Sequence, residues 1–155
     1  GISNCSSHSR GRVQIKSNNP LDHPVIEPNY LSNKEDLRNL LEGVKVLRKL
    51  AKTNSFREVI GEEFRPGPQC QTDEQMIKHI KDTVWTVFHP SSTCKMGPNT
   101  KNNVVDSSLK VHGIECLRVA DASIFPQLVC GNINAATIMV GEKASDLILQ
   151  DKVNI

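Results

Sequence analysis

A chain of 155 residues can bury about two thirds of the surface its unfolded form would expose, so size permits one ordinary domain. With 37% hydrophobic and 23% charged residues it reads as globular rather than disordered, and no apolar run approaches the roughly 20 residues of a membrane-spanning helix. A net charge of +2, from 19 Lys and Arg scattered among 17 acidic residues, provides no basic stripe, and 4% aromatics provide no stacking platform, which argues against nucleic acid as a partner.

The opening, Gly1 to Arg10, is polar and rich in Ser, with no signal-peptide pattern. Gly11 to Ser17 then alternates, Val13 and Ile15 pointing one way and Arg12, Gln14 and Lys16 the other, which predicts a half-buried strand. Asn18 to Pro28 carries three prolines and several turn formers and reads as a loop. Leu37, Leu40, Leu41, Val44, Leu47, Leu50 and Ala51 fall at helical spacing, and Ser32 followed by Glu35 gives that helix a candidate capping box. Its apolar face is read as core packing. Glu62 to Gln71, with Pro66, Gly67 and Pro68, reads as a loop. Thr72 with Gln75 forms a second candidate capping box, before a helical stripe of Met76, Ile77, Ile80 and Val84 that extends to Trp85.

The chain then reaches His89 directly before Pro90. Because the residue before proline is pushed out of the helical region, His89 is expected on an extended or turn backbone, from which its side chain can face a cavity. Leu109 to Val111 and Leu117 to Ala120 read as short extended pieces joined through His112, Gly113 and Ile114, with Arg118 expected in solvent, a charge partner being the alternative, and Asp121 closing the second piece. Asn134 to Leu149 reads as a helix whose N-terminus lies near Asn132. Cys5, Cys70, Cys94, Cys116 and Cys130 include no C-x-x-C pair, so no metal site is expected, and the odd count leaves at least one thiol outside any disulfide within the chain.

Four segments in the last third form an ordered set: His89 to Gly97 (HPSSTCKMG), Val104-Val105-Asp106, Leu109 to Asp121 (LKVHGIECLRVAD), and Asn132-Ile133-Asn134 opening a helix. The set resembles the C-terminal signature of the glucose-methanol-choline oxidoreductases, flavoenzymes that oxidise alcohols using FAD, and most of all their insect glucose dehydrogenase branch. The resemblance extends over nearly the whole chain, since Ser9 to Ser17 and Pro24 to Leu31 are similar to the start of the family's substrate-binding sheet.

In that family the HPSSTCKMG segment begins at the active-site histidine. The resemblance therefore implies that His89 is the base that removes the hydroxyl proton as hydride leaves the carbon, a task suited to a group titrating near neutrality. Taken without the motif, one histidine at a strand end reads more readily as an ordinary polar residue. The family's second polar position is a His or an Asn, and the match of Gly141-Glu142-Lys143 and the Ala-rich helix start brings it to Asn132. An amide there can donate to the developing alkoxide; helix N-capping is the competing reading of Asn132. Ile133 and Asn134 are implied as flavin contacts, near unpaired helix N–H groups that favour electron-rich partners. Ala135 and Ala136 would let a flat ring approach, or serve only tight helix packing. Asp121 and Ala122 are implied beside the ribityl and pyrophosphate portion of FAD; a carboxylate would repel phosphates, so hydroxyl or backbone contact is expected, with capping of the next turn as the alternative for Asp121. One position departs from the family, which has Gly where Ser92 stands.

The expected fold is α+β. Residues 1–8 form a polar leader, and residues 9–92 an antiparallel substrate-domain sheet backed by helices. Residues 93–155 hold the active-site turn and a return segment whose C-terminal strand and helix complete a doubly wound FAD-binding domain. No G-x-G occurs in the chain, so the nucleotide fingerprint of such a domain is missing and an N-terminal FAD-binding portion is the expected partner. The implied function is oxidation of the CH–OH group of an alcohol or sugar, with the chain by itself inactive. Two alternatives stand beside it: a truncated, non-catalytic family member, and a hydroxynitrile-lyase-like enzyme on the same scaffold. The resemblance alone favours a secreted protein.

Overall fold

The structure, a computed structural model, describes residues 1–153, with no account of the side chains of residues 152 and 153. Its elements in chain order are β1 (Arg12–Gln14), β2 (Val25–Glu27), α1 (Lys34–Ala51), α2 (Asn54–Arg57), α3 (Asp73–Thr83), a 3-10 turn (Ala122–Ile124) and α4 (Asn134–Val153). They divide between two compact units, Gly1–Val87 and the residues from Phe88 on. Helices with one small antiparallel two-stranded sheet make up the regular structure; no helix among the described residues is long and apolar enough to cross a membrane.

In the first unit α1 packs on α3, burying Leu41, Met76 and Ile80, with Leu37, Leu40, Val44 and Ile77 partly buried around them. Burial of side chains of this size contributes about 1.5–3 kcal/mol each. Lys45 of α1 reaches Asp73 at the start of α3 at 2.8 Å, across the same contact. The capping box predicted at Thr72 and Gln75 forms with both of its bonds, and α3 ends at Thr83, before Trp85, as Val84 turns extended. For α1 the cap lies one residue beyond the predicted Ser32: Asn33 Oδ1 accepts from the Glu35 N–H at 2.9 Å, while the Asn33 N–H donates to Ser9 Oγ. A partner 24 residues upstream thus shares in starting the helix.

The polar opening is tied down by one carboxylate. Asp36, 1% exposed in the first turn of α1, accepts from Ser7 Oγ, from the His8 and Ser9 N–H groups and from Ser9 Oγ. Burial opposes its ionisation, but these donors outweigh burial and hold the carboxyl well below the usual carboxylate range. From there the chain passes Gly11, just before β1; this residue sits so close to β2 that an added Cβ would run into the Glu27 carbonyl oxygen.

Two expectations change here. The Pro-rich stretch read as a loop contributes β2, paired antiparallel with Val13 opposite Ile26 and an Arg12–Glu27 ion pair at one end. The strand expected to be half-buried is exposed on both faces, Val13 at 51% and Ile26 at 65%, because a two-stranded ribbon with nothing packed on it shields neither face.

The second unit has its own core of Val105, Leu109, Ile124, Phe125, Ile133, Val140 and Ala144. Its extended segments meet in single bridges, Met96 with Val105, Val105 with Val111 and Lys110 with Arg118. The strand expected at Leu117 to Ala120 enters only the last of these, with Leu109 to Val111 beside it: the Val111 N–H donates to the Leu117 carbonyl and the Val119 N–H to the Leu109 carbonyl. Arg118, expected in solvent, is half-buried: its Nε donates to the Ser108 carbonyl and its guanidinium pairs with Asp151 of α4 at 2.7 Å. Lys110 joins the same carboxylate at 2.9 Å, so α4 is fastened near its C-terminal end.

Candidate active site

The second unit brings the predicted residues onto one frame. After His89 and Pro90 the chain runs beside the 3-10 turn, and alternate amides of Ser92, Cys94 and Met96 donate to the successive carbonyls of Ala122, Ser123 and Ile124 at 3.2, 2.9 and 2.8 Å. The turn in turn packs against α4 through the core of Ile124, Phe125 and Ile133. The His89 segment and the start of α4 are therefore both fixed to the Ala122–Ile124 turn. His89 itself is half-buried, and among the described residues its imidazole has no hydrogen-bond partner.

Ser92, three residues on, has φ 69, a left-handed backbone that residues with a Cβ adopt at a cost. Glycine adopts such a backbone without strain, in keeping with the glycine that the family resemblance leads one to expect here. The Ser92 hydroxyl lies 3.3 Å from that of Ser91.

At the start of α4, Ile133 supplies the first helical carbonyl, accepting from the Thr137 N–H at 2.9 Å, and so takes the cap position. Its buried aliphatic side chain cannot accept from the N–H groups of residues 134–136. Asn132 stands one place before the cap, exposed, and no hydrogen bond joins its amide to the helix, so the capping reading of Asn132 does not hold. Asn134 and Ala135 are exposed beside it. The result is a helix N-terminus with open donors and a free side-chain amide, a set that fits an electron-rich ring edge.

Asp121 caps the 3-10 turn, its Oδ1 accepting from the Ser123 N–H at 2.7 Å, while Ala122 gives its carbonyl to Ser92. Of the remaining histidines, His112 is structural: its Nε2 lies 2.9 Å from the Gly97 carbonyl, and its N–H donates to Val104. A pocket lined by Arg10, Gly11, Arg12, Glu27 and Asn29 lies in the first unit and holds none of the predicted site residues.

Residues 7–141 match the family described as GMC oxidoreductase. The chain belongs to the GMC oxidoreductase family. This GMC oxidoreductase chain is 44% identical over 147 residues to the oxygen-dependent choline dehydrogenase of Escherichia coli O139:H28 (strain E24377A / ETEC), a match covering 95% of the chain and 26% of that protein. It spans about a quarter of the length of the curated relatives it matches. Among solved structures, it is similar to an FAD-dependent oxidoreductase from Chaetomium thermophilum, with TM-score 0.89 and 29% identity over 96% of this chain and 26% of the other. It is also similar to the formate oxidase of Aspergillus oryzae RIB40, with TM-score 0.86 and 33% identity over 93% of this chain and 25% of the other.

Two residues that organise this GMC oxidoreductase chain carry no signal in its sequence. Asp36 looks like any acidic residue in a helix's first turn, and its partners lie 27 to 29 residues away. Arg118 looks like the polar member of an alternating strand, and its carboxylate partner is 33 residues on.

Proposed function

We propose that this chain provides the proton-handling side of an FAD-dependent oxidoreductase that converts the CH–OH group of an alcohol or sugar to a carbonyl. The observation that carries this reading is the common anchorage of the His89 segment and the start of α4 on the Ala122–Ile124 turn. The chemistry that bound FAD supplies is hydride acceptance. Everything else falls to residues of the chain.

His89 takes the hydroxyl proton on an unprotonated ring nitrogen as the carbon–hydrogen bond breaks, which keeps the substrate oxygen electron-rich enough to expel hydride. Asn132 donates its side-chain N–H to the same oxygen as negative charge develops there. The open N–H groups after Ile133, with Asn134, receive the electron-rich edge of the flavin ring, and the positive end of α4 favours charge gathering on that edge. Asp121 is already engaged as a cap, so it and Ala122 serve the ribityl and pyrophosphate portion through backbone and turn geometry rather than through a free carboxylate. The extended piece at Leu117 to Ala120 and α4 complete a doubly wound FAD-binding domain whose other strands lie outside the quarter of the relatives that this chain spans.

Glucose and choline head the substrates to test. The motifs resemble the glucose dehydrogenase branch, and the 44% identical relative is named a choline dehydrogenase. The deciding experiment is an anaerobic visible spectrum of the purified protein with FAD, before and after adding primary alcohols, glucose and choline. Bleaching of a retained flavin band by one of them supports the reading, and a retained band that none of them bleaches overturns the oxidase or dehydrogenase assignment. Failure to retain flavin means that the chemistry at His89 and Asn132 requires the N-terminal FAD-binding portion, and the same spectra are then taken with that portion present.

A further inference from the structure

We propose that the side of α4 formed by Asn134, Ile138, Gly141, Ser145, Ile148 and Leu149 is a docking face for the FAD-binding portion of the same protein, an inference that rests on the proposed place of α4 in that domain. These six residues recur at intervals of three and four and so line one side of the helix. A different side, carrying Ile133, Val140 and Ala144, meets the unit's own core. The third side holds Glu142, Lys143 and Asp146, charged residues suited to water. The proposed face carries no charge, yet Ile138 is 58% exposed and Leu149 57%. A helix apolar on one side is served by one neighbouring layer; a helix apolar on two sides is built to lie between two.

Gly141 points to the same neighbour independently. Glycine in a helix interior is less favourable than alanine, and a Cβ added at Gly141 would meet nothing within 4 Å. Nothing among the described residues therefore requires glycine there, whereas another element crossing this face would use it for close backbone approach, with Ser145 one turn on continuing the small surface. The flanks decide what kind of neighbour it is. A helix lying on a lipid surface borders its apolar face with Lys and Arg, but Glu142 and Asp146 lie on the flank next to Ile138 and Leu149. The chain covers 26% of its choline dehydrogenase relative, so most of such a protein lies outside it and can supply the second apolar layer. The face also begins at Asn134, so a layer packed along it reaches the helix start proposed to receive the flavin.

The test uses the complete protein, with its FAD-binding portion present. Hydroxyl-radical labelling of the wild type is expected to mark Met139, which lies on the charged side, and to leave Ile138, Ile148 and Leu149 as protected as the core residue Val140. Gly141→Leu is expected to raise the dissociation constant for FAD about ten-fold or more, as overpacking of a filled contact does. Glu142→Leu adds the same side chain on the charged side and is expected to leave that constant within about two-fold of wild type. Labelling of Ile138, Ile148 and Leu149 as strong as in the denatured chain overturns the proposal, and so does a Gly141→Leu variant that binds FAD like the wild type. Protection that disappears on dilution to the monomer assigns the face to a second copy, and protection that appears only with phosphatidylglycerol vesicles assigns it to a lipid surface; either result overturns the proposal. If the complete protein holds or reduces no flavin, the proposed function has failed, and the labelling, which needs neither, still decides this inference.

Discussion

Asp36 and the His89 region handle polar groups in opposite ways. Asp36 is nearly inaccessible and both of its carboxylate oxygens accept from donors of Ser7, His8 and Ser9. His89, Asn132 and the N–H groups at the start of α4 keep donors and acceptors open, although their backbone is firmly anchored. Buried polar groups are paired in folded proteins, and no buried side-chain polar atom among the described residues lacks a partner. A satisfied polar cluster holds structure; open polar groups on an anchored backbone remain available to a ligand. Substitutions in the first region should therefore act on stability, and those in the second on chemistry with little effect on stability.

The largest effect expected is at His89. His89→Ala should lower the rate constant of flavin reduction by about 10²–10⁴-fold, the usual contribution of a general base. Because the ring has no hydrogen-bonding partner among the described residues, the melting curve should stay within about 0.5 kcal/mol of wild type. Rapid-mixing reduction kinetics and thermal melting measure the two. A variant that melts early and reduces flavin at the normal rate would reverse the contrast between the regions.

Asn132→Ala comes next, with an expected loss of about 10²–10³-fold if its amide stabilises the developing alkoxide. The substitution also separates the two readings its sequence position permits. A capping asparagine would cost about 0.5–2 kcal/mol of stability when truncated. With Ile133 in the cap position, no such loss is expected in a denaturant titration.

The local signals in this sequence were readable and the non-local ones were not. The α3 capping box and the helical stripes of α1, α3 and α4 follow from residues within a few positions of each other, and each of these helices stands where its periodicity predicts, with α3 ending two residues early. The family resemblance covers β2 with Pro24 to Leu31, but the local reading gives a loop, because prolines at 20, 24 and 28 dominate it and Val25–Glu27 becomes a strand only by pairing with β1. Of the candidate site, the order of motifs singled out His89 and Asn132, the residues proposed as base and alkoxide partner. The left-handed backbone of Ser92, the aliphatic cap at Ile133 and the Arg118–Asp151 pair depend on three-dimensional neighbours that spacing does not encode.

In the satisfied region the leading prediction concerns Asp36→Asn. The amide nitrogen cannot accept from the donors around it, so the variant should lose about 1–3 kcal/mol of stability at neutral pH. The pH dependence carries a sign. The folded carboxyl titrates well below its unfolded range near 3.9, so the stabilisation is complete above that range and is lost as pH falls from there toward the folded value. Wild-type stability should therefore decline below about pH 4 more steeply than that of Asp36→Asn, with the two curves converging in acid. Parallel curves would mean that the bonds to Ser7, His8 and Ser9 contribute no net stability.

The smallest effect tests how α1 begins. Asn33 accepts from the Glu35 N–H with its side-chain Oδ1, while its backbone N–H donates to Ser9 Oγ, which itself donates to Asp36, so the backbone at the helix cap is held by the carboxylate cluster. Asn33→Ala should cost about 0.5–2 kcal/mol, while Ser32→Ala, at the position sequence spacing favours, should change stability by less than about 0.5 kcal/mol. Residues that share a hydrogen-bond network couple, so in the Asp36→Asn background the cost of Asn33→Ala should shrink by about 0.5 kcal/mol or more. Additive costs would make the cap a local device and confine the cluster's influence to Asp36 and the segment it binds. A shrunken cost would mean that the polar opening of the chain and the first helical turn fold as one unit.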